Sequence, residues 1–174
     1  ENSDLTYNQV NCLEFDQVGD IWIGTEYGIS LFNEMENTWD NFYADVPDSG
    51  LSSNSIHTIE SYEGEIWIGT ASGITFVDDT YAWTPYFAWE DIPDNTIQTI
   101  FAEENKIWIG TTGGLCIYNG ETWQIQNTKT GFYSNNITSI EKNPNNDMIA
   151  IGTMNGGLVT YDNEFNLYSS SNSD

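Results

Sequence analysis

The stretch IWIGTEYG, residues 21–28, occurs twice more almost unchanged, as IWIGTASG at 66–73 and as IWIGTTGG at 107–114. A fourth version, IAIGTMNGG at 149–157, is weaker but keeps the Gly-Thr pair. The glycines of the four pairs are spaced by 45, 41 and 42 residues, at Gly24, Gly69, Gly110 and Gly152. Such a period, rich in β-branched and aromatic residues, is typical of propeller blades of four strands each. The repeat therefore predicts an all-β fold, a β-propeller made of four four-stranded antiparallel blades.

Further columns of similar residues surround each phrase. An asparagine followed by spaced aliphatic residues precedes it, at Asn8, Asn54, Asn95 and Asn135. An apolar run and then a second aromatic residue follow it, at Trp39, Trp83, Trp123 and Phe165. We expect these segments to form strands A to D of each blade, with the phrase as strand B. Alternation puts Ile21 and Ile23 on one face of that strand and Trp22 on the other, so both faces must be covered, as they are between neighbouring blades.

The two glycine positions of the phrase predict different roles. Gly28 and Gly73 end a short loop between two β segments, which is typical of a type I turn followed by a left-handed residue. The glycine before the threonine lies inside a strand, where glycine marks the close approach of a neighbour or a bulge. The fourth unit has one more residue in its turn, at 153–157, so we expect that turn to be looser.

The composition excludes several classes of function. Three lysines, no arginine and 27 acidic residues give a net charge of −24, which argues against nucleic acid or an anionic membrane surface as a partner. No run of 18 apolar residues is present, so we expect no membrane insertion by this segment. Cys12 and Cys116 lack metal-ligand spacing and are interpreted as packing residues; we expect no metal and no cofactor. His57, the single histidine, is interpreted as a satisfied or channel-facing member of a polar column. The other members of that column are Asn11, Gln98 and Thr138.

The repeats also set the expected domain organisation. We expect one propeller domain over residues 1–168 and a Ser/Asn-rich tail over 169–174. The four repeats are placed at about 6–50, 51–93, 94–133 and 134–168. Four units fit a closed four-bladed ring, an open fragment of a larger propeller, or half of a dimeric eight-bladed ring formed by self-association. A charge of −24 would oppose that self-association.

The units resemble the two-component regulator propeller repeat, whose pattern runs Asn-x-aliphatic, then G-x-[IL]-W-[IV]-G-T-x-x-G-[IL], then an apolar-aromatic pair. The resemblance covers residues 7–168, and three of the four WIGT cores match. It implies a propeller, a periplasmic or extracellular location and a ligand-sensing role, because such repeats build sensor regions of hybrid two-component systems, many of them glycan sensors of Bacteroidetes. Family sensors usually carry more repeats. The fourth unit has Ala150 and Phe165 in place of the column tryptophans and is interpreted as a terminal blade.

Candidate binding residues lie in the connections between the phrases and in the B-to-C turns, because the function of a propeller lies in the loops of one face, whereas the strands of its blades are occupied by packing. Six of the seven tryptophans are column residues, and Trp89, in TPYFAWEDIPDN, is not. Planar aromatic rings beside carboxylates suit sugar recognition, since the rings stack on apolar sugar faces and the carboxylates accept hydrogen bonds from hydroxyls. The candidate ligand-binding residues are Trp89, Phe87, Glu90, Asp91, Tyr43, Phe132, Tyr133 and Tyr27.

The sequence therefore favours a non-enzymatic, extracytoplasmic ligand-binding or sensor module for a glycan or another small polar ligand. One alternative is a protein-interaction scaffold whose acidic surface meets a basic partner. A second alternative is a polysaccharide-active enzyme, which has less support because no carboxylate pair stands out and the one histidine lies in a strand.

Overall fold

A computed structural model describes residues 4–88 and 92–170, which form sixteen strands in four separate antiparallel sheets. The first sheet contains β1 (Val10–Phe15), β2 (Ile21–Thr25), β3 (Gly28–Asn33) and β4 (Thr38–Phe42). The second contains β5 (Ile56–Tyr62), β6 (Glu65–Thr70), β7 (Gly73–Val77) and β8 (Trp83–Tyr86). The third contains β9 (Ile97–Glu103), β10 (Lys106–Thr111), β11 (Leu115–Tyr118) and β12 (Trp123–Gln126). The fourth contains β13 (Ile137–Lys142), β14 (Ile149–Thr153), β15 (Gly157–Tyr161) and β16 (Phe165–Tyr168).

Each sheet is one blade, built from four consecutive strands in sequence order, so no strand is exchanged between blades. Strand B of every blade is the repeated phrase, as the sequence predicted. The expected fold class, an all-β arrangement of four four-stranded antiparallel blades, is confirmed.

The first strand of every blade carries an irregularity at the same point of its pairing. The ladder skips one residue of strand A: Asn11 in β1, His57 in β5, Gln98 in β9 and Thr138 in β13. A bulged residue leaves the alternation of the strand, and its side chain is re-aimed. Asn11 Nδ2 donates to Ile56 O (2.9 Å) and His57 Nδ1 lies 2.7 Å from Ile97 O, so this polar column links one blade to the next.

Three apolar clusters hold the blades together, one between each consecutive pair. The strand-B tryptophans, Trp22, Trp67 and Trp108, face the following blade and are 0–2% exposed. The strand-B isoleucines face the preceding blade, so Ile66 and Ile68 pack in the same cluster as Trp22. The phrase is therefore apolar on both faces because each blade is covered on both sides.

The glycine before the threonine keeps space for the next blade. A Cβ on Gly24 would lie 2.6 Å from Ile56 Cγ2, and a Cβ on Gly69 would lie 2.5 Å from Ile97 Cγ2. Gly110 stands in the same relation to Ile137, at 2.7 Å. The expected close approach is confirmed, and its partner is a side chain of the next blade. The turn glycines Gly28 and Gly73 have φ of 110° and 131°, values that favour glycine.

The four blades do not close into a ring. Strand A of each blade packs on strand A of the next, from β1 to β5, β9 and β13, and no apolar cluster joins β13 back to β1 in the described part of the chain. Leu13 on β1 is 59% exposed, whereas Ile59, its equivalent on β5, is 5% exposed. Of the three arrangements expected for four units, the closed four-bladed ring is not found, and the open array is consistent with a fragment of a larger propeller.

Candidate functional site

The turns and connections that carry the sequence-predicted binding residues lie at one edge of the blades, called the loop face below. In an antiparallel blade of four strands, the B-to-C turn and the D-to-A connection emerge at the same edge. The asparagine column closes the longer connections: Asn54 Oδ1 accepts from Ala44 N and Asn95 Oδ1 accepts from Ala88 N, both at 2.6 Å. Asn135 Oδ1 accepts in the same way from Thr128 N at 2.8 Å. These asparagines therefore hold the shape of the loop face.

Two of the candidate aromatic residues occupy an equivalent position in successive repeats, which the sequence analysis did not identify. Tyr43 and Phe87 each directly follow strand D, and each ring lies over the turn glycine of its own blade. A Cβ on Gly28 would lie 3.1 Å from Tyr43 Cδ1, and a Cβ on Gly73 would lie 3.1 Å from Phe87 Cδ1. Both side chains are half-buried, so one face of each ring packs and the remainder is open to solvent.

The other candidates fall in different environments. Tyr27 and Tyr133 are exposed, at 59% and 42%. Phe132 is 6% exposed and packs in the cluster between the third and fourth blades, so its ring serves the core. Trp89, Glu90 and Asp91 lie outside the described residues.

A buried column explains the position of Phe132. Leu51, Ile92 and Phe132 each stand three residues ahead of a column asparagine, and all three are 1–6% exposed. That fixed offset was the signal in the sequence that could have identified Phe132 as a core residue.

An open groove on the loop face is lined in part by residues that are close to Trp89 in the sequence. It is lined by the first long connection, residues 44–52, together with Pro85 and Phe87, and has a volume of about 390 Å³. Phe87 is two residues ahead of Trp89, so the groove and that segment are adjacent along the chain.

A second feature of the loop face is a carboxylate held in place beside two exposed rings. Ser55 Oγ donates to Glu26 Oε2 at 2.8 Å, and Asn11 Nδ2 donates to Glu26 Oε1 at 3.0 Å. The hydrogen bond from Ser55, and then that from Asn11, lower the pKa of Glu26. The neighbouring residue, Tyr27, has its ring centroid 4.9 Å from that of Tyr7. We call Tyr7, Glu26, Tyr27 and Ser55 the tyrosine cluster; the sequence reading found only Tyr27.

The groups around the tyrosine cluster suit binding better than nucleophilic catalysis. The Ser55 hydroxyl is engaged as a donor to Glu26, and His57 Nε2 lies 3.4 Å from it. His57 Nδ1 meets a backbone carbonyl oxygen, whereas the histidine of a catalytic triad is oriented by a carboxylate. A carboxylate fixed by two donors can accept hydrogen bonds from a hydroxylated molecule, and the two exposed rings beside it, tilted by 45° to each other, offer apolar surface to the same molecule.

The cysteines and the acids give no sign of redox or metal chemistry in the described residues. Burial raises the pKa of Cys12 to about 12, which keeps its thiol protonated and unreactive. Cys116 is fully buried in the cluster between the second and third blades. Within residues 4–88 and 92–170, no group of three or more His, Cys, Asp or Glu is arranged to hold a metal ion.

On the opposite edge, one tryptophan lacks the hydrogen bond that its equivalents make. Trp22 Nε1 donates to Asp16 Oδ2 and Trp108 Nε1 donates to Glu103 Oε1, both at 3.0 Å. In the second blade the position of those carboxylates is taken by Tyr62, and the buried Trp67 Nε1 has no partner with hydrogen-bond geometry. Glu65 lies close enough for the indole to lower its pKa against the larger effect of burial. A groove of about 430 Å³ opens beside Trp67 between the second and third blades.

The three strand-B tryptophans should therefore respond differently to the same substitution. Trp22→Phe and Trp108→Phe are expected to lower the free energy of unfolding by about 1–3 kcal/mol more than Trp67→Phe, because only they lose a hydrogen bond to a carboxylate. Urea unfolding of the three variants measures this difference. Equal losses in all three would mean that the indole–carboxylate bonds do not contribute.

A half-buried carboxyl on the interface between the second and third blades should make stability depend on pH. Burial raises the pKa of Glu60 to about 7, opposed by the hydrogen bond from Ala102 N, while the charges of Glu14 and Glu141 add to the rise. The pKa of Glu60 in the folded state is above that in the unfolded state, so the protonated carboxyl stabilises the fold. This contribution to the free energy of unfolding is complete below the unfolded pKa and is lost as the pH rises through about 7.

Glu60→Gln keeps an acceptor for Ala102 N and removes the titration. We expect its advantage in free energy of unfolding over the parent to grow between pH 5 and pH 8, as measured by urea unfolding across that range. Glu164→Gln, at an exposed carboxyl, is the control for the loss of one negative charge. If both variants change in parallel with pH, burial of Glu60 does not determine the effect.

The fold and the loop face define the class of protein: a propeller segment whose packed repeats carry candidate binding loops on one edge. A family model for the two component regulator propeller matches residues 4–27, at the start of the first repeat, and the resemblance seen in the sequence is confirmed. None of the curated proteins matches the chain. No helix capable of crossing a membrane occurs among the residues described.

Solved structures show the same fold. The extracellular domain of a hybrid two component system of B. thetaiotaomicron is 26% identical, with a TM-score of 0.78 over 94% of this chain and 24% of its own. The extracellular domain of a one component system of B. thetaiotaomicron is 20% identical, with a TM-score of 0.76 over 92% of this chain and 25% of its own. A streptogramin B lyase is 16% identical, with a TM-score of 0.72 over 99% of this chain and 58% of its own, and shows the fold alone. This chain thus spans about a quarter of the two extracellular domains.

Proposed function

We propose that this chain is part of a periplasmic or extracellular sensor propeller without enzymatic activity, and that its loop face binds a glycan or another small polar molecule. The observation that carries the proposal is the tyrosine cluster, where exposed rings stand beside a carboxylate that two donors hold in place. The groove lined by Phe87 and residues 44–52 adds a second concave surface on the same face. Similarity to an extracellular domain of a two component system supports the location and the sensor role.

Binding is tested by titrating the protein with a panel of oligosaccharides while its tryptophan fluorescence and melting temperature are recorded. We expect at least one oligosaccharide to change the fluorescence and raise the melting temperature, since a ligand that binds only the folded state stabilises it. Trp89→Ala should remove the fluorescence change. Tyr27→Ala should weaken binding at least about tenfold, the loss of roughly 1.4 kcal/mol in binding free energy.

Tyr81→Ala is the matched control, because Tyr81 is an exposed tyrosine (53%) in the C-to-D turn on the opposite edge. It should bind as the parent does. Equal weakening by Tyr27→Ala and Tyr81→Ala would place the site away from the loop face, and release of shortened saccharides during the titration would refute the non-enzymatic assignment.

A scaffold function is the second candidate, supported by the net charge of −24. An acidic surface attracts basic proteins through exposed charges, and salt screens such attraction. Complex formation with a basic protein that disappears in high salt, without any response to oligosaccharides, would favour the scaffold.

A further inference from the structure

The groove beside Trp67 combines an open volume with an indole nitrogen that the chain does not satisfy. Among residues 4–88 and 92–170, Trp67 Nε1 is the one buried side-chain nitrogen or oxygen without a hydrogen-bond partner, and Trp67 is 2% exposed. A buried donor without an acceptor is unfavourable, and proteins normally supply one from the chain, from water or from a ligand. The groove lies on the edge opposite the loop face, and its lining includes Tyr62, Glu65 and Trp67; we call it the Trp67 groove.

The equivalent indoles show what the second blade lacks. Asp16 and Glu103 each stand two residues beyond the strand-A partner of their own tryptophan, and each accepts from that indole at 3.0 Å. Tyr62 holds this position in the second blade. The matching groove between the first and second blades, which Asp16 lines, has a volume of about 200 Å³, against about 430 Å³ for the Trp67 groove. The second blade therefore has more space and no carboxylate of its own for the indole.

The size and the walls of the Trp67 groove fit a small molecule better than a single water. Small-molecule sites span roughly 300–1,000 Å³, whereas a water occupies about 30 Å³. The rings of Phe76, Tyr118 and Tyr86 have their centroids 4.7, 5.7 and 6.4 Å from that of Trp67. All three side chains are half-buried, so together they form an apolar wall beside the indole.

One carboxylate of the groove is placed to act together with the indole. Burial raises the pKa of Glu65 and the nearby indole opposes that rise, so the two groups are close without forming a hydrogen bond of good geometry. Glu103 also lines the groove, but both of its oxygens are engaged, Oε1 by Trp108 Nε1 and Oε2 by Lys142 Nζ at 2.9 Å. Glu65 is therefore the acceptor in the groove that a ligand can use.

The charges around the groove disfavour an anionic ligand. The exposed Glu63 lines it beside Glu65, in a chain with a net charge of −24. Lys106 is also part of the lining, but its Nζ lies over the rings of Trp108 and Tyr161, at 5.8 and 5.7 Å from their centroids, and so points toward the fourth blade. A neutral or positively charged molecule fits this surface.

We propose that the Trp67 groove is a binding site for a neutral or cationic molecule with hydroxyl groups, one of which accepts a hydrogen bond from Trp67 Nε1 and donates one to Glu65. A hydroxyl has one donor and two acceptor lone pairs, so a single group serves both residues. Because the nitrogen is buried, a side chain must move to admit the hydroxyl, and Glu65 is the flexible one beside it. The site is separate from the loop face and does not rest on the function proposed for that face.

The proposal is tested by recording the indole N–H resonances of ¹⁵N-labelled protein during separate titrations with glucose, mannitol, glucosamine and, as the anionic probe, glucuronate. Trp67→Phe identifies the Trp67 resonance among those of the seven tryptophans. We expect at least one of the first three probes to move it downfield and to slow its exchange with water about tenfold or more, because a hydrogen-bonded proton exchanges only when the bond opens. Glucuronate should leave it unchanged.

Two substitutions of Tyr62 separate the missing acceptor from the shape of the groove. Tyr62→Gln brings a neutral acceptor to the position that Asp16 and Glu103 hold in their blades, and Tyr62→Leu removes the same ring without offering an acceptor. We expect Tyr62→Gln to bind the responding probe at least about tenfold more weakly than Tyr62→Leu. The loop-face variant Tyr27→Ala should show the same change at Trp67 as the parent, so the two proposals fail separately.

Three results would overturn the proposal. The first is a Trp67 resonance that none of the probes moves. The second is a Trp67 indole that is already as downfield and as slow to exchange in the free protein as those of Trp22 and Trp108, since Glu65 or a water would then be its acceptor. The third is equal binding by Tyr62→Gln and Tyr62→Leu. If Trp67→Phe does not fold, Glu65→Gln assigns the resonance instead, because it perturbs the nearest indole most.

Discussion

Ile97→Ala is expected to lower the free energy of unfolding by about 2–5 kcal/mol, the range for deleting a fully buried isoleucine side chain down to Cβ. Ile97 is 0% exposed, belongs to the cluster between the second and third blades and packs directly on Gly69. Its loss leaves a cavity against Gly69, which has no side chain that could fill it.

Val10→Ala is the matched control, since Val10 holds the same column on the first blade and is 41% exposed. Its cost should stay below about 1 kcal/mol, because a half-exposed side chain gives up little buried area. Urea unfolding of the two variants gives both values. A loss at Val10 as large as that at Ile97 would show that the outer face of the first blade is covered in solution.

Gly69→Ala is expected to destabilise by about 1–3 kcal/mol, the usual cost of overpacking. The new Cβ would lie 2.5 Å from Ile97 Cγ2 and 2.6 Å from Thr58 Cγ2. Both neighbours are β-branched and held in strands, so the blades must separate to admit it.

The double variant Gly69→Ala with Ile97→Ala isolates this clash. Its loss should be smaller than the sum of the single losses by about 0.5–3 kcal/mol, because the new methyl then occupies vacated space. Gly152→Ala is the control: the nearest atom to its Cβ is Ser139 Oγ, which can rotate away, and the three atoms nearest to that Cβ all belong to its own blade. Strict additivity, or an equal loss at Gly152, would contradict the close-approach role of this glycine.

Much of the fold could be predicted because the repeated residues indicate how each blade packs against its neighbours. Trp22 and Ile23 alternate within one strand, and that alternation alone required a blade on each side. The glycine that precedes the threonine was predicted to mark a close approach, and Ile56 and Ile97 are its partners. The packing can be inferred from the sequence period because the same contact is repeated at each interface.

The remaining features of the fold depend on contacts that the repeated sequence positions do not indicate. The bulge that re-aims Asn11 and His57 depends on pairing with strand B, and one sequence contains no record of that pairing. Phe132 was a candidate binder by composition and is a core residue by position. Whether the ring closes depends on the surfaces of the first and last blades, and their exposure is a property of the assembled array.

The candidate binding site could likewise be predicted only in part. The aromatic loops could be found by subtracting the column residues, and this gave Tyr27, Tyr43 and Phe87. Tyr7 and Asn11 reach Tyr27 and Glu26 only through the folding of the first blade, and Ser55 reaches Glu26 only when the second blade packs on the first.

Isothermal titration calorimetry at low and high ionic strength tests whether the loop face binds a small polar molecule. An uncharged oligosaccharide identified in the panel should bind the parent with the same affinity in both buffers, because rings and fixed hydrogen-bond acceptors are little affected by screening. Tyr27→Ala should weaken that binding and Tyr81→Ala should not. Absence of heat with every oligosaccharide, together with binding of a basic protein that high salt abolishes, would contradict the claim.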